Sequence, residues 1–131
     1  MMDDELRVNI VLYRLSSARN CLGEVLSLKK DGYYNAAVSR MYYACFHAAS
    51  ALLIDNGIEV RTHNGVRQLL SKEFVLTGRL SRDKSKFYTN LFSQRQNSDY
   101  EDFINYTEED IEELFPFAVE FIDTIADLIK R

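Results

Sequence analysis

Apolar residues recur along this chain at intervals of three and four, with no sustained two-residue alternation, so the pattern predicts helices throughout. The strongest stretch is Tyr34–Ile54, YNAAVSRMYYACFHAASALLI, where fourteen residues between Arg40 and Asp55 carry no formal charge. At helical period Ala37, Met41, Ala44, Ala48 and Leu52 share one face, and Val38, Tyr42, Phe46, Ala49 and Leu53 share a second. A helix apolar over most of its circumference is enclosed by other helices or by a membrane. Fourteen residues fall short of the roughly 20 that cross a bilayer. The stretch therefore reads as the central helix of a soluble bundle, its alanines letting neighbours come close.

Four further helices follow from the same pattern. The first, about Asp3 to Lys29, carries the stripe Val8, Val11, Leu15, Ala18, Leu22 and Val25, flanked by Leu12 and Leu26. Acidic residues open it and Lys29 and Lys30 close it, as the helix dipole favours. Asp31-Gly32 ends it and turns the central helix back antiparallel. A third helix, about Asn64 to Val75, buries Val66, Leu69, Leu70 and Phe74; Thr62 or Asn64 caps it, and His63 reads as a surface or capping residue. The fourth begins after Ser81 and buries Phe87, Tyr88, Leu91 and Phe92. Glu101 to Tyr106 reads as a loop. Thr107 caps a fifth helix with the stripe Ile111, Leu114, Phe115, Ala118, Ile122, Ile125 and Ile129, in which Pro116 predicts a kink. The expectation is all-α: an up-and-down antiparallel bundle of four to five helices forming one domain over residues 1–131.

Composition narrows the function classes. The opening MMDDELRV is acidic and lacks an apolar signal-peptide core, and Cys21 and Cys45 lie far apart on apolar faces. Both points suit reduced core thiols in a cytoplasmic protein outside the membrane. The net charge of −4 argues against indiscriminate nucleic-acid binding. It also hides an asymmetry: residues 1–100 hold fourteen Lys and Arg against ten Asp and Glu, and residues 101–131 hold two against ten. Arg79, Arg82, Lys84, Lys86 and Arg95 form a basic cluster that suits phosphates, or the acidic tail of this or another copy, or a solvated face.

Two polar stretches interrupt apolar helices. Arg40, Tyr43, His47 and Ser50 stack on one side of the central helix and face solvent, a groove or a partner. Arg95 continues the apolar stripe of the fourth helix. It either pairs with Asp99 along the helix or aims its guanidinium into a cleft beside Asn97 and Tyr100. No Cys-x-x-Cys, His-Glu-x-x-His, glycine-rich phosphate loop or di-iron Glu-x-x-His is present, so no metal or cofactor is expected.

YYNAAVSRMYYACFHAASALL, then THNGVRQLLSKEFV, then RQNSDYEDF, together resemble the HEPN domain family over roughly Asp31 to Phe103. The resemblance implies a helical bundle that pairs as a homodimer. It also implies a setting of toxin–antitoxin type beside a nucleotidyltransferase, whose target includes a motif tyrosine, here Tyr100. Many HEPN proteins are metal-independent ribonucleases with an Arg, a nearby polar residue, and a His separated from the Arg by four to six residues. Arg95 matches the Arg and Asn97 the polar residue, but the His positions hold Tyr100, Glu101 and Asp102. The sequence is similar to a branch carrying Arg…Asp-Tyr in place of Arg…His. Histidine titrates near neutrality, whereas tyrosine's reference pKa is about 10, so the departure removes the usual proton-transfer group. The leading expectation is a non-catalytic module in which Arg40, Tyr43, His47, Arg95, Asn97, Asp99 and Tyr100 line a groove for RNA, a nucleotide or a nucleotidyltransferase partner. The alternative is a metal-independent ribonuclease using Arg95 with Tyr100 or His47.

Overall fold

The computed structural model describes residues 3–100 and 105–129, with side chains for 3–96 and 105–129. Five α-helices run in chain order: α1 Asp4–Lys30, α2 Tyr34–Asp55, α3 His63–Leu70, α4 Arg82–Tyr100 and α5 Glu108–Ile129. A π-helical turn, Ser71–Val75, extends α3. There is no strand among the described residues. None of the described helices is long and apolar enough to cross a membrane.

Local chemistry sets the boundaries. The Asp3 carboxylate accepts from the Leu6 amide at 2.7 Å to start α1. Gly32 ends the turn after α1 at φ 83°, and Gly57 follows α2 at φ 75°, conformations that a Cβ disfavours. Thr62 starts α3, its Oγ1 accepting from the Gly65 amide at 2.9 Å. A Cβ on Gly65 would approach that oxygen to 2.9 Å, so the glycine leaves room for the cap. Ser81 caps α4 through the Lys84 amide. Thr107 and Asp110 cap α5 reciprocally: Thr107 Oγ1 accepts from the Asp110 amide, and the Asp110 carboxylate accepts from the Thr107 amide. Pro116 sits inside α5.

Helix α2 is the axis, in contact with α1, α3, α4 and α5. Ala37, Met41, Ala44, Ala48 and Leu52 are wholly buried, as are Val38, Tyr42, Ala49 and Leu53 of the second face. Phe46 is half-buried. Three departures from the sequence reading stand out. Ser50 is buried in the core, and its hydroxyl meets no hydrogen-bond partner, so the polar row reaches the rim only through Arg40, Tyr43 and His47. On α1, Val11, Ala18, Leu22 and Val25 are buried, but Val8, Leu12 and Leu26 are exposed. Only one side of α1 meets α2 and α5, and those three residues fall outside that contact. On α5, Phe121 is buried beside the expected stripe. There it stacks on Tyr88 at 5.4 Å, and Tyr88 stacks on Tyr42 at 5.8 Å, giving the core a column of parallel rings.

The charge asymmetry is resolved partly within the chain. The acidic helix α5 pairs with Arg19 and Lys29 of α1 and with Lys84 of α4, at 2.7–3.1 Å. Lys84 thus meets the acidic segment of its own chain. Arg79 instead lies over the Phe74 ring at 4.6 Å.

Candidate functional site

The rim of α2 gathers arginines of α1, α2 and α4 onto its aromatic rings, and an arginine of α3 lies over a ring of α4. Arg40 and Arg95 each lie 5.3 Å from the centroid of Tyr43. Arg14 of α1 lies 5.9 Å from Phe46, and Arg67 of α3 lies 5.7 Å from Phe92. Guanidinium groups stack on aromatic faces because they are planar, delocalised and weakly hydrated. The helical spacing of Tyr43 and Phe46 presents both rings along one edge, and α1 and α4 bring Arg14 and Arg95 to it.

Arg95 is the best-anchored member. Its Nη2 donates to the Tyr43 hydroxyl at 3.0 Å, and its guanidinium also lies 5.9 Å from the Tyr42 ring. The position is partly buried, as its place at the end of an apolar stripe requires. Asn97, Asp99 and Tyr100 lie on the following turn of α4, their side chains outside the described residues.

Both histidines lie against this edge. The His47 Nδ1 is 3.1 Å from Nη1 of Arg14. A guanidinium can only donate, so Nδ1 accepts and the ring hydrogen sits on Nε2. Burial, then Arg14, Arg40 and His63, hold the His47 pKa below its ordinary value of 6.5. His63, the first residue of α3, stacks on Phe46 at 4.1 Å, and its Nδ1 is 2.8 Å from the Tyr42 hydroxyl. Burial pushes the Tyr42 phenol up to about 12, so it keeps its proton at neutral pH. Burial and the charge of Arg95 lower the His63 pKa.

Arg40, Tyr43 and Arg95 are brought together, both guanidiniums lying against the Tyr43 ring. His47 shares the edge but bonds to Arg14 on the α1 side. The imidazole whose pKa responds to Arg95 is His63, which is no mere surface or capping residue. Arg14, His63 and Arg67 were missed. The spacing of the THNG segment marks His63 as the start of a helix, which was the available signal. Nothing local indicates that α3 returns to the edge of α2.

Chemically, the edge offers cations with planar donors, aromatic faces and two imidazoles held neutral. The ion pairs among the described residues occupy other cations, so Arg14 and Arg40 have His47, Cys21 and aromatic rings as their described partners. Guanidiniums not neutralised by carboxylates suit phosphate oxygens. No group of three or more His, Cys, Asp or Glu side chains able to hold a metal converges among the described residues.

A five-helix bundle with an arginine at the end of an apolar α4 stripe defines a class of small helical domains, and comparison with known proteins gives the family. Residues 11–128 match the HEPN domain, and the chain belongs to that family. It is similar to a UPF0332 protein of Thermotoga maritima, 36% identical over 92% of each chain. It is also similar to two Methanocaldococcus jannaschii proteins named as candidate toxins. One is 32% identical over 84% of this chain and 76% of its own. The other is 33% identical over 79% and 77%. Among solved structures, an archaeal HEPN homologue superposes with a TM-score of 0.73 at 27% identity, covering 92% of this chain and 98% of the other.

Proposed function

We propose that this chain is a HEPN module that holds a single-stranded RNA segment on the Arg40–Tyr43–Arg95 edge, without cleaving it, as one component of a toxin–antitoxin-like pair. The observation that carries the reading is the placement of two guanidiniums, each 5.3 Å from the same tyrosine ring, one of them bonded to its hydroxyl. Phosphates pair with guanidiniums and bases stack on aromatic rings, which is how sequence-tolerant RNA sites are built. The names of the two Methanocaldococcus jannaschii relatives support the toxin–antitoxin setting. The family resemblance supplies the nucleotidyltransferase partner, the homodimer and Tyr100 as the residue it would modify. The buried free thiols of Cys21 and Cys45 suit a reducing cytoplasm.

Fluorescence anisotropy with labelled single-stranded RNA tests it. Arg95→Ala should weaken binding tenfold or more while circular dichroism is unchanged; equal affinity for the folded variant and the parent rejects the reading. A second reading, metal-independent RNA cleavage, gains support from the two neutral imidazoles beside the arginines. A ribonuclease would lose turnover, in the absence of divalent ions, on replacing Arg95 and either His63 or His47. No cleavage of structured RNA by the parent protein removes that reading.

A further inference from the structure

A cleft of about 610 Å3 opens between the N-terminal half of α1 and the α2–α3 connection. Its floor is apolar, formed by Ile10, Ile54, Ile58 and Val60, and Arg7 and Arg14 stand beside it. The carboxylate on its wall, Glu59, is engaged by Arg61 through two contacts of 2.9 and 3.1 Å. Arg7 bonds Asp4 at one end of its guanidinium, while its Nε is buried without a hydrogen-bond partner. The volume falls within the roughly 300–1,000 Å3 typical of small-molecule sites, and an apolar floor with a few placed cations is the usual lining for a flat apolar body bearing an anion.

The cleft is continuous with the edge described above. Arg14 lines it and also bonds His47 and lies over Phe46. Phe46 stacks on His63 at 4.1 Å and meets Tyr43 edge-on at 6.3 Å, and Tyr43 carries Arg95. From Arg7 to Arg95 the surface is therefore a strip of rings flanked by cations, with a cavity at one end.

We infer that this cleft is a second nucleotide subsite, taking the base of a residue further along the same RNA strand whose phosphate lies between Arg7 and Arg14. The inference rests on the RNA-binding reading of the Arg95 edge, but it makes a separate demand: a strand must be long enough to reach the cleft. A trinucleotide then occupies the edge alone, and a nonanucleotide occupies both.

The test compares an adenosine trinucleotide with an adenosine nonanucleotide, using binding titrations and methyl NMR on the parent protein. The longer strand should shift the methyl signals of Ile10, Ile54 and Ile58, and the shorter one should leave them in place. Arg7→Ala should weaken the nonanucleotide about fivefold and reduce the salt slope by about 0.7, the single-strand value for one lost phosphate contact. Its affinity for the trinucleotide should not change. Val60→Trp, which fills the cleft without removing a charge, should produce the same length-selective loss. Unmoved isoleucine methyls with the nonanucleotide bound overturn the subsite, as does equal movement with the trinucleotide. If the subsite alone is wrong, Arg95→Ala still weakens both lengths. If the underlying reading is wrong, Arg95→Ala weakens neither.

Discussion

Two neighbouring tyrosines of α2 divide the molecule. Tyr42 is wholly buried and sits in a column of parallel rings with Tyr88 and Phe121. Tyr43, one residue on, lies at the rim against Arg40 and Arg95. A single step along a helix rotates a side chain by about 100°, so one ring is built into the core and the next is presented to cations. The column is held by close packing, which fails when volume is removed. The rim is held by charge–ring contacts, which tolerate loss of volume but respond to charge and pH. Core and site are thus adjacent in sequence and differ in the kind of energy they use.

The largest effect should come from breaking the core side. Tyr42→Ala leaves a cavity against α3 and α4 and should cost about 3–5 kcal/mol in a denaturant titration, the range for losing a buried aromatic ring. Tyr43→Ala, one position away, should cost about 1 kcal/mol. If the two costs were equal, the division between column and rim would be wrong. Next in size, Arg95→Ala should reduce RNA affinity by a factor of ten or more, about 1.4 kcal/mol at the tenfold level, with much less effect on unfolding.

A smaller effect sharpens how the rim is assembled. Thr62→Ala removes the cap that begins α3 at His63 and should cost about 1 kcal/mol. It should also loosen the stacking of His63 on Phe46, seen as narrowing of the shift difference between the His63 ring protons and free imidazole. The mildest prediction concerns pH. Both imidazoles have folded-state pKa values below 6.5, so the unfolded chain takes up protons first as pH falls. Their contribution is fully present above about pH 6.5 and is lost as pH drops through 6.5 toward the folded values. Stability measured from pH 7.5 down to 5.5 should decline, and replacing His47 and His63 by Gln should flatten that part of the profile. An unchanged slope would mean the imidazoles are not held neutral by the fold.

Much of the fold was legible because helices are written in local order. The charge-free run of α2, the caps at Ser81 and Thr107, and the glycine after α1 each act within four residues, so spacing alone reveals them, while for α3 it left Thr62 and Asn64 as alternatives. The exposed side of α1 was not legible. Val8, Leu12 and Leu26 fit the periodic stripe as well as Val11 and Leu22 do, and only the position of α2 and α5 decides which are covered. Arg95 was visible as a candidate because a permanent charge ending an apolar stripe is anomalous within its own helix. His63 carried no such anomaly, since a histidine at a helix start has an ordinary local explanation.

The sequence by itself determined the helices, the caps at Ser81 and Thr107, the buried faces of α2 and the oddity of Arg95, because backbone hydrogen bonding and side-chain periodicity act over a few residues. The tertiary structure alone decided that Arg14, Arg40 and Arg95 converge on one aromatic edge, and that His63 rather than His47 stands nearest Arg95 in charge. Those relations join residues up to 81 positions apart. They depend on how four helices pack around a fifth, a property of packing geometry that no single segment encodes.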